Sequence, residues 1–83
     1  MNLWSKESID FTRESFTKLK FFPRDDGFVY MKKKLSSEDK VIFGRLSVLH
    51  VLIQKWQVFD LKSNSETEYD SLEDMLNDGW VID

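Results

Sequence analysis

The chain has 83 residues, of which 41% are hydrophobic, twelve basic, fifteen acidic and none cysteine. One domain over residues 1–83 is expected, marginal in stability because so short a chain buries only about 60% of its unfolded surface. A net charge of −3 argues against a strongly basic nucleic-acid binder, and the missing cysteine excludes disulfides, thiolate nucleophiles and thiolate metal sites.

The first predicted element is a helix from Ser5 to about Lys20. Trp4, Ile9, Phe11, Phe16 and Leu19 fall on one broad face at 3.6 residues per turn. Ser5 suits the N-cap, and Glu7 in the first turn suits the helix dipole. Phe21-Phe22-Pro23 ends the element, because a residue before proline avoids the α region. Arg24-Asp25-Asp26-Gly27 reads as a turn, with Gly27 free to take a positive φ. Phe28 to Lys34 reads as a strand, apolar at its start and basic at its end.

Ser36-Ser37-Glu38-Asp39 reads as a helix start. Ile42, Leu46, Leu49, Ile53 and Trp56 follow with spacings of four, three, four and three. A strand over 41–55 would mix polar and apolar residues on both faces, so residues 37–54 are expected to form the central buried helix. Trp56 to Leu61 and Glu66 to Tyr69 read as two strands joined by Ser63-Asn64-Ser65. Asp70 then caps a short helix, with Glu73 completing a capping box. Leu72, Met75 and Leu76 form its inner face, and Gly79 ends it. Trp80-Val81-Ile82 is a last strand or anchor. The fold class expected is α+β: a small, mainly antiparallel sheet packed on one face by two longer helices, with a short C-terminal helix.

Little points to catalysis. His50 is the only histidine, and it has no cysteine or histidine partner for a metal site. There is no Gly-x-Ser-x-Gly elbow, and three glycines cannot make a phosphate loop. Asp25-Asp26 beside Gly27 suits a turn better than acid–base chemistry. No enzyme activity, cofactor or metal is expected. The longest uncharged stretch, Leu46 to Gln54, is too short for a membrane helix, which needs about 20 apolar residues. The N-terminus lacks the order of a signal peptide. A cytoplasmic location is therefore expected.

Charge placement is more informative. Residues 1–62 hold twelve bases and eight acids, net +4; residues 63–83 hold seven acids and no base, net −7. Glu66, Glu68, Asp70, Glu73, Asp74 and Asp78 are expected to form one acidic surface for a basic partner, with Tyr69 and Trp80 as apolar anchors. In size, charge and lack of a cofactor signature, the chain is similar to small acidic proteins by which phages and mobile elements block host nucleases, anti-CRISPR proteins among them. The likeness is one of class and rests on no shared motif. It implies a small non-catalytic protein that binds another protein, inhibits a host nucleic-acid-processing enzyme and mimics phosphates with carboxylates. An alternative is a nucleic-acid-binding module that contacts phosphates through Lys32, Lys33, Lys34 and Lys40. A third is a structural subunit that self-associates through Phe21, Phe22 and Phe28, clustered about Pro23.

Overall fold

A computed structural model describes residues 2–35 and 40–83. The helix-start signal at residues 36–39 lies outside the described residues. The elements run α1 (Lys6–Thr17), β1 (Phe28–Leu35), β2 (Lys40–Ser47), α2 (Val48–Leu52), β3 (Trp56–Asp60), β4 (Ser65–Tyr69), α3 (Leu72–Asn77) and β5 (Trp80–Ile82). The five strands form one sheet in the order β4-β3-β2-β1-β5, antiparallel throughout. The expected α+β class and antiparallel sheet are present.

One helix is long rather than two. The expected central helix over 37–54 is replaced, in its described part, by strand β2 and the five-residue α2. Two facts explain why the periodicity misled. A spacing of four, such as Ile42 to Leu46, keeps two residues on one side of a strand as well as of a helix. The apparent mixing of faces also disappears in three dimensions. Gly44 sits on the inner face because there is room for nothing else: an added Cβ would lie 2.9 Å from Val58 Cγ1, Trp80 Cη2 and the Phe59 carbonyl oxygen. Arg45, on the outer face, is accommodated between the rings of Phe28 (4.2 Å) and Phe59 (5.0 Å).

The inner face carries Val29 and Met31 of β1, Leu46 of β2, Trp56 and Val58 of β3 and Trp80 of β5. Phe16 of α1, Val51 of α2 and Met75 of α3 close over it. Phe16 packs edge-on to Trp56 at 5.6 Å and against Phe21 at 5.5 Å. The helix buries Thr12, Ser15 and Phe16, so its inner stripe lies one step round from the predicted one, and Phe11 faces solvent.

Ser5 caps α1 as expected, accepting from the Ser8 amide at 3.2 Å. The helix stops at Thr17, before the predicted Lys20. Its end is a Schellman turn: the Lys20 amide donates to the Ser15 carbonyl (2.8 Å), and Leu19 takes φ +53°. α2 ends in the same way, with Gln54 at φ +57° and the Lys55 amide on the His50 carbonyl (2.8 Å). α3 is capped by Ser71, whose hydroxyl accepts from the Asp74 amide at 3.1 Å. The cap falls one residue after the predicted Asp70, so Asp74 and not Glu73 holds the third position, and the Asp70–Glu73 box is not formed; Glu73 pairs with Arg13 instead.

The two sheet edges are managed differently. Thr12 of α1 accepts from the Ile82 amide at 3.0 Å and donates to the Ser8 carbonyl, so α1 covers the outer edge of β5. Edge strand β4 is exposed over Ser65–Glu68 and carries Glu66 and Glu68. Charge on an open edge discourages pairing with another chain.

Candidate functional site

The sequence pointed to an acidic surface, and the fold distributes its members among different settings. Glu66 and Glu68 share the outer sheet face, and Glu66 accepts from Gln57. Asp70 and Asp74 are exposed near the start of α3. Glu73 is held by Arg13 through two hydrogen bonds of 2.7 and 3.0 Å, and the guanidinium keeps its carboxyl below the usual range. Asp78 joins a polar chain on the inner side of the sheet. The Trp80 indole donates to the Tyr69 hydroxyl (3.0 Å), Tyr69 donates to Asp78, and Lys33 donates to the same Asp78 oxygen (3.0 Å). Burial pushes the Asp78 carboxyl up, but Tyr69 and Lys33 outweigh it and hold it below the usual carboxylate range. Burial, and then Asp78, drive the Tyr69 phenol well above its ordinary value.

Trp80 is only 4% exposed, so it is a core residue and not a surface anchor. Tyr69 is half-buried and tied to Asp78. Two of the six acids and both apolar anchors are thus engaged in holding the fold. Glu66, Glu68, Asp70 and Asp74 remain outward.

The lysine strip is divided by strand alternation. Lys32 and Lys34 point to the outer face, where their ammonium groups lie 4.6 and 5.4 Å from the Trp4 ring. Lys33 points to the inner side, where it meets Asp78 and the Trp80 ring. Lys40 is exposed at the start of β2. Of the aromatic trio at Pro23, only Phe22 stands free of the body. Phe21 packs on Phe16, and Phe28 lies under Arg45.

The helical side carries the feature that the periodicity concealed. Leu49 and Ile53, expected in the core, are 72% and 70% exposed, and Leu52 between them is 55% exposed. Phe11, Leu19 and Phe22 are also more than half exposed. Two grooves meet at Leu19. One, of about 400 Å³, runs between α1 and α2 and is lined by Leu19, Val51, Leu52, Gln54, Trp56 and Leu72 among others. The other, of about 570 Å³, is lined by Phe11, Glu14, Ser15, Leu19, Lys20, Phe21 and Phe22. Both of the left-handed residues that end α1 and α2, Leu19 and Gln54, line the first groove. No sequence signal separates these leucines from core leucines, because exposure depends on where the chain turns.

Among the described residues no three His, Asp or Glu side chains gather as a metal would require, and no helix is long and apolar enough to cross a membrane. No protein-family model matches the chain, and neither the curated proteins nor the solved structures give a match.

Proposed function

We propose that this chain is a non-catalytic protein-binding module whose docking surface is the apolar helical side around Leu19. The reading rests on one observation: Phe11, Leu19, Phe22, Leu49, Leu52 and Ile53 are each more than half exposed on a domain that has a well-filled core elsewhere. Single exposed hydrophobic residues need no explanation, but Leu19 and Leu52 line one groove and Phe11, Leu19 and Phe22 the adjoining one, and such apolar patches mark interfaces. The turns that end α1 and α2 fix the groove between them, since Leu19 and Gln54 both line it.

The partner is a protein that presents apolar side chains to that groove. The acidic residues Glu66, Glu68, Asp70 and Asp74 act as a charged surround that tunes encounter, with an inhibitory action on a basic partner as its sharpest form. The test compares three proteins as bait: the wild type, a Leu52→Ser/Ile53→Ser variant and a Glu66→Lys/Glu68→Lys variant. A partner held by the wild type and the lysine variant, but lost by the serine variant, supports the apolar surface. Titration of that purified partner should then show a negative heat-capacity change and little dependence on salt. Retention by the serine variant with loss by the lysine variant, and a steep salt dependence, would move the function to the carboxylates.

A further inference from the structure

The sheet has one covered edge and one open edge. Thr12 of α1 holds the Ile82 amide on the β5 side, whereas β4 has no neighbour beyond it in the strand order. Ser65–Glu68 are exposed, and among the described residues no loop or cap hydrogen bond reaches the backbone of Ser65–Tyr69. Alternate residues of such a strand turn their N–H and C=O groups away from the strand they pair with. β4 therefore presents a row of unpaired donors and acceptors, and the group that complements such a row is another extended chain. We propose that β4 is a pairing edge for an extended segment of a partner protein that carries Lys or Arg at alternate positions, added as a sixth strand beside Ser65–Tyr69. This site is separate from the apolar helical side, since none of residues 65–69 lines either groove.

The register sets the side chains of the occupant. Glu66 and Glu68 stand opposite Phe59 and Gln57 on the outer face, while Thr67 stands opposite Val58 on the inner one. Two carboxylates at i and i+2 thus flank one side of the open edge. Neither forms an ion pair among the described residues. Gln57 donates to Glu66, which orients that carboxylate and leaves its charge in place. Opposite charges across paired strands attract. A segment with bases at the same period meets both glutamates, and its other face lies beside Thr67 and the half-buried Tyr69.

The same pattern disfavours the other occupants. A second copy pairing β4 with β4 about a two-fold axis would set glutamates against glutamates, and like charges across strands repel. A nucleic acid would bring phosphates against carboxylates. An apolar segment would meet no apolar side chain on Ser65–Glu68. The charge that discourages indiscriminate pairing at this edge therefore selects for a strand of opposite sign.

The probe is a synthetic peptide of alternating lysine and threonine, about ten residues long, the upper length of an ordinary strand. It is titrated into the whole chain and followed by amide resonances. The amides of Ser65–Tyr69 should shift, and their exchange with solvent should slow. Glu66→Lys/Glu68→Lys should weaken binding about tenfold or more and create binding of an alternating glutamate–threonine peptide. Both positions are exposed, and an unchanged melting curve verifies that the variant folds. Methylation of alternate peptide nitrogens separates strand pairing from simple attraction. One alternate set faces β4, so its methylation should abolish binding, while methylation of the other set should leave it. Absence of binding, shifts centred away from β4, equal affinity for the lysine variant, or indifference to both methylations overturns the proposal. Leu52→Ser/Ile53→Ser should bind the peptide as the wild type does, so failure here is distinct from failure of the apolar docking reading.

Discussion

Gly44→Ala is a severe test of the packing, because it adds only a methyl group. That carbon would stand 2.9 Å from three atoms, each well inside normal contact. One is the Phe59 carbonyl oxygen, which belongs to the neighbouring strand and cannot rotate away. A second belongs to Trp80, 4% exposed and tied by its indole to Tyr69, so the ring has no open space to enter. Overpacking costs about 1–3 kcal/mol, and two unyielding neighbours argue for the upper end. Alanine regains about 0.5–1 kcal/mol over glycine within a strand. The net loss is about 2 kcal/mol. Total stability for this length is on the order of 4–12 kcal/mol. Each kcal/mol moves the melting point of so small a domain by about 4–8 °C, so Tm should fall by roughly 8–16 °C. Thermal denaturation followed by circular dichroism measures this directly. Trp80→Phe removes the Cη2 atom, so Gly44→Ala should cost less on that background than on the wild type. A variant that melts within about 2 °C of wild type would refute the crowding of β2 against β5, given the size of shift expected.

Thr12→Val leaves the Ile82 amide without its acceptor and should cost about 1–3 kcal/mol, while Thr12→Ser should keep most of the stability; urea titration compares them. Leu49→Ala would cost about 2–5 kcal/mol in a buried helix, but at 72% exposure it should stay within about 0.5 kcal/mol of wild type in the same assay. Tyr69 has a folded-state pKa raised above its unfolded value, so its stability contribution is complete below the ordinary phenol range and is lost as pH rises beyond it. A spectrophotometric alkaline titration should show a late-ionising phenol that disappears in Tyr69→Phe. Asp78 has the opposite sign: its contribution is present above the ordinary carboxylate value and is lost as pH falls through the depressed folded value. Asp78→Asn should therefore flatten the acid limb of a stability–pH curve.

Much of the fold was legible wherever a local signal was unambiguous. Ser5 as cap, Gly27 and Gly79 at positive φ, the Asn64 turn, and strands β1, β3, β4 and β5 follow from capping, turn chemistry and alternation. The failure lay in β2, where a glycine inside and an arginine outside disguised a strand. Both residues answer to tertiary neighbours: Gly44 to Trp80 and Val58, Arg45 to Phe28 and Phe59. The candidate site was less legible. Net charge singled out residues 63–83, but Arg13 and Lys33 arrive from distant segments to meet Glu73 and Asp78. Composition cannot reveal such pairings. Leu49, Leu52 and Ile53 have the character of core residues, and only the short length of α2 turns them outward.

The strand order has a consequence for how the protein is made. The last strand enters the sheet beside the first, and it carries Trp80 and Val81, both buried. Synthesis delivers α1 and the β1–β4 meander while the free side of β1 still lacks β5 and Thr12 still lacks the Ile82 amide. A nascent chain therefore waits with an open strand edge and a helix not yet docked on β5, the condition in which chains attract chaperones or one another. The sheet is completed only when residues 80–82 pair with β1, long after β1 itself has been made. A chain cut short before Trp80 loses part of its core, the cover for β1 and the anchor of its first helix in a single event, which would mark it for proteolysis.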